Sequence, residues 1–550
     1  MNRNVFPVIL MIAVCSVATR CGAQENSPGT IDGFIAQRLQ EDKLQPSPLC
    51  SDAEFVRRVY LDVIGVIPSA VEAKAFLNDS SPGKRAKLID TLLNNERYAD
   101  HWEVMWGDLL REHSASKRKE GTVNGSYRAW LREALAKNIP YDEFARKLIT
   151  ASGNAEENGA VNFYLRDMQN RVESANAVSQ VFMGTRMACA QCHDHPFDKW
   201  TQTDFHSLMA FFGRTDVTKA GKKKEPGESR VFETEAGEYH VPADGDGANK
   251  KKKNGGEVVA PAFPWNPAET LGGAGSRREA LAKFVTGNRQ FAAVQANRLW
   301  GQLMGRGIVE PMDDFQPKNP PSHPELLEFL TDRFVEFKLD NKQLIKLILN
   351  SDAYQRSSLP TDSNRADKAD FSHRVLRRMS AEEMFDSLLV ASGYDSGLEE
   401  IPAVIRDSQG SGKGPKGAGA GKGAKKAPAE WAADLPTPCR AGSFMDLFGQ
   451  PKRDVIVVRR DESGSIPQAL ELMNGKAIDD AIVRSPLVAS LTGSNANWND
   501  IANELYLAAF SRYPTAAELE LPKQWGAPSA EQIRDLQWAL LNTREFTFVK

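Results

Sequence analysis

Ser51-Asp52-Ala53-Glu54 and, after an apolar run closed by Pro68, Ser69-Ala70-Val71-Glu72 decide how this chain is read. In each, a serine hydroxyl is placed to accept from the backbone N–H three residues on, while the glutamate reaches back to the serine N–H. That reciprocal pair marks the first turn of a helix. Apolar side chains follow both at helical spacing, and Pro68 stops one segment before Ser69 starts the next. The signature recurs at Ser322 with Glu325, Ser380 with Glu383, Thr515 with Glu518, and Ser529 with Gln532. Pro514-Thr515-Ala516 and Pro528-Ser529-Ala530 repeat the form Pro68-Ser69-Ala70, so short helix hairpins are expected. The chain reads as mainly α.

Further helices are expected over 31–44, 84–95, 101–112, 171–186, 289–304 and 324–338, where apolar residues recur three or four apart. Short β-favouring runs at 230–235, 239–241, 258–262 and 454–459 are few, and the first three are expected to build a small sheet. Composition marks the joints. Residues 218–256 are rich in Lys, Gly and Glu, and 408–429 are almost entirely Gly, Lys, Ala, Ser and Pro. The second stretch is expected to be disordered, because it has little apolar surface to offset the entropy of ordering. Two multi-helix domains follow, at 28–217 and 271–550, joined by a connecting segment at 218–270 that carries the small β element, with the disordered insert 408–429 inside the second.

A chain of 550 residues exceeds one ordinary core. Its formal charge of -3 argues against nucleic acid as a partner, since a phosphate-tracking domain is normally basic. The lysine runs at 222–224 and 250–253 lack interleaved aromatics and read as solvated loops. Residues 1–23 read as a signal peptide: Arg3, then an apolar stretch Val5–Ala18, then small residues at Gly22 and Ala23. That stretch is shorter than the ~20 residues a bilayer span needs, and no other segment is long and apolar enough, so no transmembrane span is expected in the mature chain. The protein is expected to be exported, to the periplasm or cell surface. A lipid anchor at Cys21 is an alternative that Arg20 disfavours. Loss of the leader leaves Cys50, Cys189, Cys192 and Cys439, too few for a disulfide framework.

The chemistry concentrates in Cys189-Ala190-Gln191-Cys192-His193-Asp194-His195-Pro196. Two thiols at this spacing reach both vinyl groups of a haem edge, and the imidazole that follows at once can ligate the iron. Haem c on Cys189, Cys192 and His193 is one reading, with a redox partner protein implied. Zinc on Cys189, Cys192, His195 and His206 is another, and a Cys189–Cys192 disulfide a third. Asp194 and Asp198 stand nearby. Two other constellations have structural alternatives. His101, Trp102, Trp106, Asp108, Arg111 and His113 either line a cleft or form a packed helix with a charged outer face. Asp313, Asp314, Asn319, Ser322 and His323 either hold a loop or offer a cation or sugar site. No Gly-rich phosphate loop, Gly-x-Ser-x-Gly elbow or His-Glu-x-x-His helix is present.

The run Arg57-Arg58-Val59-Tyr60-Leu61-Asp62-Val63-Ile64-Gly65-Val66-Ile67-Pro68, then Glu96-Arg97-Tyr98-Ala99-Asp100-His101-Trp102, then Cys189 through Trp200 resemble the planctomycete cytochrome-C-type domain of unknown function. Asn297-Arg298-Leu299-Trp300, Gly305 to Glu310, Asp313-Asp314-Phe315 and Pro321 to Leu327 resemble the planctomycete-specific domain that usually follows it. The resemblance covers nearly all of the chain after the leader, apart from the two inserts. It implies an exported two-domain protein, and its cytochrome label points to haem; Met105, Met183, Met187 and Met209 are available as a distal ligand or serve as core filler. A non-catalytic surface or periplasmic assembly module, with a structural metal or disulfide, is the alternative. An enzyme acting on a polysaccharide is a third, resting on Asp313, Asp314, Trp102, Trp106 and Trp300.

Overall fold

The computed structural model describes residues 29–113, 125–167, 170–218, 229–235, 237–241, 256–269, 271, 275–394, 431–494 and 496–550. The expected signal peptide and the expected disordered insert lie outside these residues, as does most of the lysine-rich stretch. The described chain is mainly helical, with sheets of only two or three strands. Capping follows the sequence closely. Ser69, Ser380, Thr515 and Ser529 each close a full reciprocal box, and Ser51 accepts from Glu54 N–H. Ser322 does not cap: Pro324 takes the first helical position, so His323 becomes the cap residue, and the Ser322 hydroxyl donates to the Ile308 carbonyl instead.

Two apolar cores organise the molecule. One gathers buried side chains from Ile31 to Phe371; the other takes residues from Met379 to Val549 together with Leu61 and Ile67. This division lies more than a hundred residues beyond the expected connecting segment. The reason is amphipathic pairing across that segment: the Tyr141–Ile149 helix buries Tyr141, Phe144 and Leu148, and the Tyr141 ring stacks on Phe291 at 4.4 Å. The Arg289–Met304 helix, buried almost all round, therefore completes the first core rather than opening a second.

The strands also differ from expectation. Arg230–Glu233 pairs antiparallel with Thr215–Thr218 on one side and Gly153–Asn154 on the other, whereas Tyr239–His240 pairs separately with Val258–Val259. Residues 454–459 form no strand, because the loop that contains them is pinned by Arg453 and Arg460 to carboxylates of the first core. A ribbon unmarked in the sequence joins Arg377–Arg378 to Phe548–Val549. The expected 171–186 helix runs as Arg171–Ala177 and then widens into a π turn at Val178–Phe182.

Buried cations tie the cores together. Arg57 donates to the carbonyls of Ala509 and Phe546, each at 2.7 Å, and Arg58 to the carbonyl of Lys550, while also holding that of Tyr354 within the first core at 2.6 Å. Both sit on the Asp52–Ile64 helix, whose C-terminus is closed by Gly65 in the left-handed conformation, φ 73°.

Candidate functional site

The Cys-His segment lies at the surface. A single 3-10 turn, Ala188–Gln191, buries Ala190 and leaves both Cys189 and Cys192 exposed and unpaired. His193 is exposed, with Nδ1 2.7 Å from the Asp194 carbonyl. A carbonyl only accepts, so Nδ1 carries the hydrogen in this contact and Nε2 is the ring nitrogen left for a metal, the usual arrangement of a ligating imidazole. His195 is used differently: its Nδ1 accepts from the backbone N–H of Asp198 at 3.0 Å and of Phe197 at 3.3 Å, holding the turn. His206 is buried in the Gln202–Ala210 helix, where its Nδ1 meets the Tyr239 hydroxyl at 2.9 Å and burial pushes its pKa down. Among the described residues no three His, Cys, Asp or Glu side chains converge as a metal-holding group, so the set Cys189, Cys192, His195 and His206 is not assembled. Met183, Met187 and Met209 are core residues, and Met105 lines a cleft that none of the Cys-His residues reaches. Cys50 and Cys439 are separate free thiols, the first buried and the second half-buried.

That cleft lies at the seam of the two cores and is partly open to solvent. One wall is the Arg97–Leu109 helix, which presents His101, Trp102, Val104, Met105 and Asp108; the first core also contributes Asp62, Gly301, Gln302, Gly305 and Met312. The other wall comprises Arg377–Glu383 and the loop 457–463. The two readings of the 101–113 constellation therefore divide. Trp106 is core, but Asp108 and Arg111 are buried and paired rather than on a charged outer face, and His101, Trp102 and Asp108 line the cleft.

Two carboxylate–guanidinium–carboxylate bridges fix the walls. Arg377 lies between Asp62, at 2.7 Å, and Glu383, which it meets with both nitrogens at 2.7 and 2.8 Å. Arg460 lies between Asp108, at 2.6 Å, and Glu382. Each bridge joins the first core to the second, and adjacent Glu382 and Glu383 place the two side by side at the start of the Ala381–Ala391 helix. Arg453 reinforces them beneath, reaching Asp108 at 2.8 Å and Glu112 at 2.7 Å; it fits because Gly107 carries no side chain where the guanidinium lies. Burial opposes ionisation of Glu382, but Arg460 outweighs it and holds the carboxyl down at about 2. The same contest keeps Asp62 low through Arg377 and Arg374. At Asp386 burial wins over Arg97, and the carboxyl rises to about 6. Burial also pushes His101 down, so the cleft presents a neutral imidazole near neutral pH.

The Asp313 constellation is structural. Asp313 is 1% exposed and held bidentately by Arg186 at 2.6 and 3.0 Å and by Gln180 at 2.6 Å, while the Asp314 carbonyl accepts from Asn319. His323 is buried beside Phe371, its pKa pushed down to about 4 by burial. What sequence reading missed is the second wall: Arg377, Arg378, Glu382, Arg459 and Arg460. Their partners stand up to 352 positions away, and only Glu383 carries a local signal, as the third residue of a capping box.

A family model described as a protein of unknown function (DUF1549) matches residues 30–217, and another described as a protein of unknown function (DUF1553) matches residues 277–525. No curated protein and no solved structure matches the chain.

Proposed function

We propose, from the premise that this chain belongs to the family joining the DUF1549 and DUF1553 domains of unknown function, that it is an exported redox protein carrying a c-type haem on its Cys-His segment. The observation that carries the reading is the state of the donors. Cys189 and Cys192 are exposed and unpaired, within a single turn, and His193 follows with Nδ1 engaged by the Asp194 carbonyl and Nε2 available. Cys189 and Cys192 would form the thioether links and His193 would be the iron ligand. When bound, such a group supplies one-electron transfer. The chain's own contribution is to anchor the His193 ring and to keep both thiols accessible for attachment. Met183, Met187 and Met209 are buried in the core and would not be among the residues that hold the group, and the exposure of the Cys-His segment would give a redox partner protein access to it.

The test is spectroscopic. Protein produced in a host with haem-attachment machinery is expected to keep its Soret absorption after denaturation and to gain the mass of one haem, both lost in the double variant Cys189→Ala, Cys192→Ala. A colourless chain of unmodified mass overturns the reading.

A further inference from the structure

Four arginines line the seam cleft, and three of them have carboxylates against them. Arg377 and Arg460 are each clamped between two, and Arg459 stands 3.6 Å from both Glu310 and Glu462. Arg378 differs. Its Nη1 donates to the Gln468 side-chain oxygen and to the Ser463 carbonyl, both neutral, and the Phe548 ring lies 5.9 Å from its guanidinium carbon. No acidic side chain among the described residues pairs with it. Burial is the one cause acting on its pKa, which it lowers. A guanidinium keeps its proton at any ordinary pH and has five N–H donors in a planar fork, so a half-buried one with only neutral partners has unmet capacity for an oxyanion.

The rest of the cleft says what else the ligand must carry. Val104 and Met105 from one wall and Val457 and Val458 from the other are all half-buried along it, an apolar shelf with area still open to contact. Apolar lining with a few fixed polar groups is the usual composition of a small-molecule site. The carboxylates deeper in the walls are already matched by Arg377 and Arg460, so they do not repel one added negative charge. The rim acids Asp461 and Glu462 are exposed and oppose a ligand with several. We propose that the seam cleft binds a small organic monoanion, a carboxylate or a sulfate ester, with its anionic group on Arg378 and its body on the Val104–Met105–Val457–Val458 shelf. This site shares no residue with the Cys-His segment, so each reading stands or falls alone.

Isothermal titration of the full chain at low ionic strength tests it with matched probes: glucuronate and glucose 6-sulfate against glucose, and cyclohexanecarboxylate against cyclohexylmethanol. At least one anion is expected to bind ten times or more tighter than its neutral counterpart, and the carboxylate and sulfate arms separate the two sources of the oxyanion. Arg378→Met, which keeps the apolar stem, is expected to reduce that preference to less than twofold. Gly464→Asp gives an independent check, because Gly464 lies in the exposed loop and a Cβ there would be 3.1 Å from Arg378 Nη1. Its carboxylate would occupy the guanidinium from within and likewise abolish the preference. Absence of binding by every probe, equal binding of anionic and neutral members, or a preference surviving both folded variants overturns the proposal.

Discussion

Gly65 closes the Asp52–Ile64 helix with φ 73°, and a methyl group at this position would overlap the His101 imidazole. Two constraints therefore meet in one residue. The left-handed conformation costs a residue with a Cβ about 1–2 kcal/mol, and the overlap adds to it unless His101 shifts. Gly65→Ala is expected to lower unfolding free energy by at least about 2 kcal/mol, measured by urea titration. His101→Ala should recover part of that loss in the double variant; losses that simply add would mean the imidazole is not what the glycine accommodates. Residue-scale chemistry of this kind is partly legible in sequence. Ser69, Ser380, Thr515 and Ser529 cap as their spacing says, because donor and acceptor lie within one turn. Ser322 fails for an equally local reason, Pro324 moving the helix start one residue on. His101 facing Gly65 is invisible, since nothing local tells which residue will lie over a helix end.

At the scale of elements, the two bridges act as a clasp between helices that carry no sequence sign of being neighbours. Asp62 and Asp108 come from the Asp52–Ile64 and Arg97–Leu109 helices, while Glu382 and Glu383 start the Ala381–Ala391 helix. Removing one member leaves a buried guanidinium partly unmatched, which typically costs about 3–5 kcal/mol. Glu382→Gln is therefore expected to destabilise by about 3 kcal/mol, against less than about 0.5 kcal/mol for Glu462→Gln at the exposed rim. The pH dependence separates the clasp from ordinary packing. Because Glu382 is held at about 2, below its usual 4.5, its contribution is present above 4.5 and lost as pH falls toward 2. Stability of the Gln variant should thus fall less steeply over that acid range. Asp386, raised to about 6, acts in the opposite sense: its contribution is present below its usual 3.8 and lost as pH rises through 6. Denaturant titrations at several pH values read both, and an unchanged acid limb in Glu382→Gln would show that its ionisation contributes nothing to the clasp.

For the whole molecule, composition and family boundaries place the joint near 218–270, yet the apolar cores divide between Phe371 and Met379. A low-complexity stretch marks where a chain tolerates interruption, which is a statement about exposure; it does not say which helices bury one another. The mainly helical character was legible because periodicity is local, whereas the stacking of Tyr141 on Phe291 and the donation from Arg298 to the Tyr141 hydroxyl at 3.3 Å join residues about 150 positions apart. From these contacts the first sequence half is expected not to fold on its own. A fragment spanning 29–217 lacks the Arg289–Met304, Pro324–Glu336 and Asn341–Leu349 helices, so Tyr141 loses the Phe291 and Phe334 rings and Phe182 loses the Phe291 ring. It also loses the Ala509 and Phe546 carbonyls that accept from Arg57 and the Tyr354 and Lys550 carbonyls that accept from Arg58, leaving Arg57 without those acceptors and Arg58 with Glu54 alone. The fragment is expected to keep helical far-ultraviolet dichroism but to show weak near-ultraviolet signal and no cooperative urea transition. A fragment spanning 29–375 restores the first core and should regain a cooperative transition, though at lower midpoint than the full chain, because Arg57, Asp62 and Asp108 still lack acceptors and cations from the second core. A sharp, full-amplitude transition in 29–217 alone would instead place the structural boundary where the composition shift puts it.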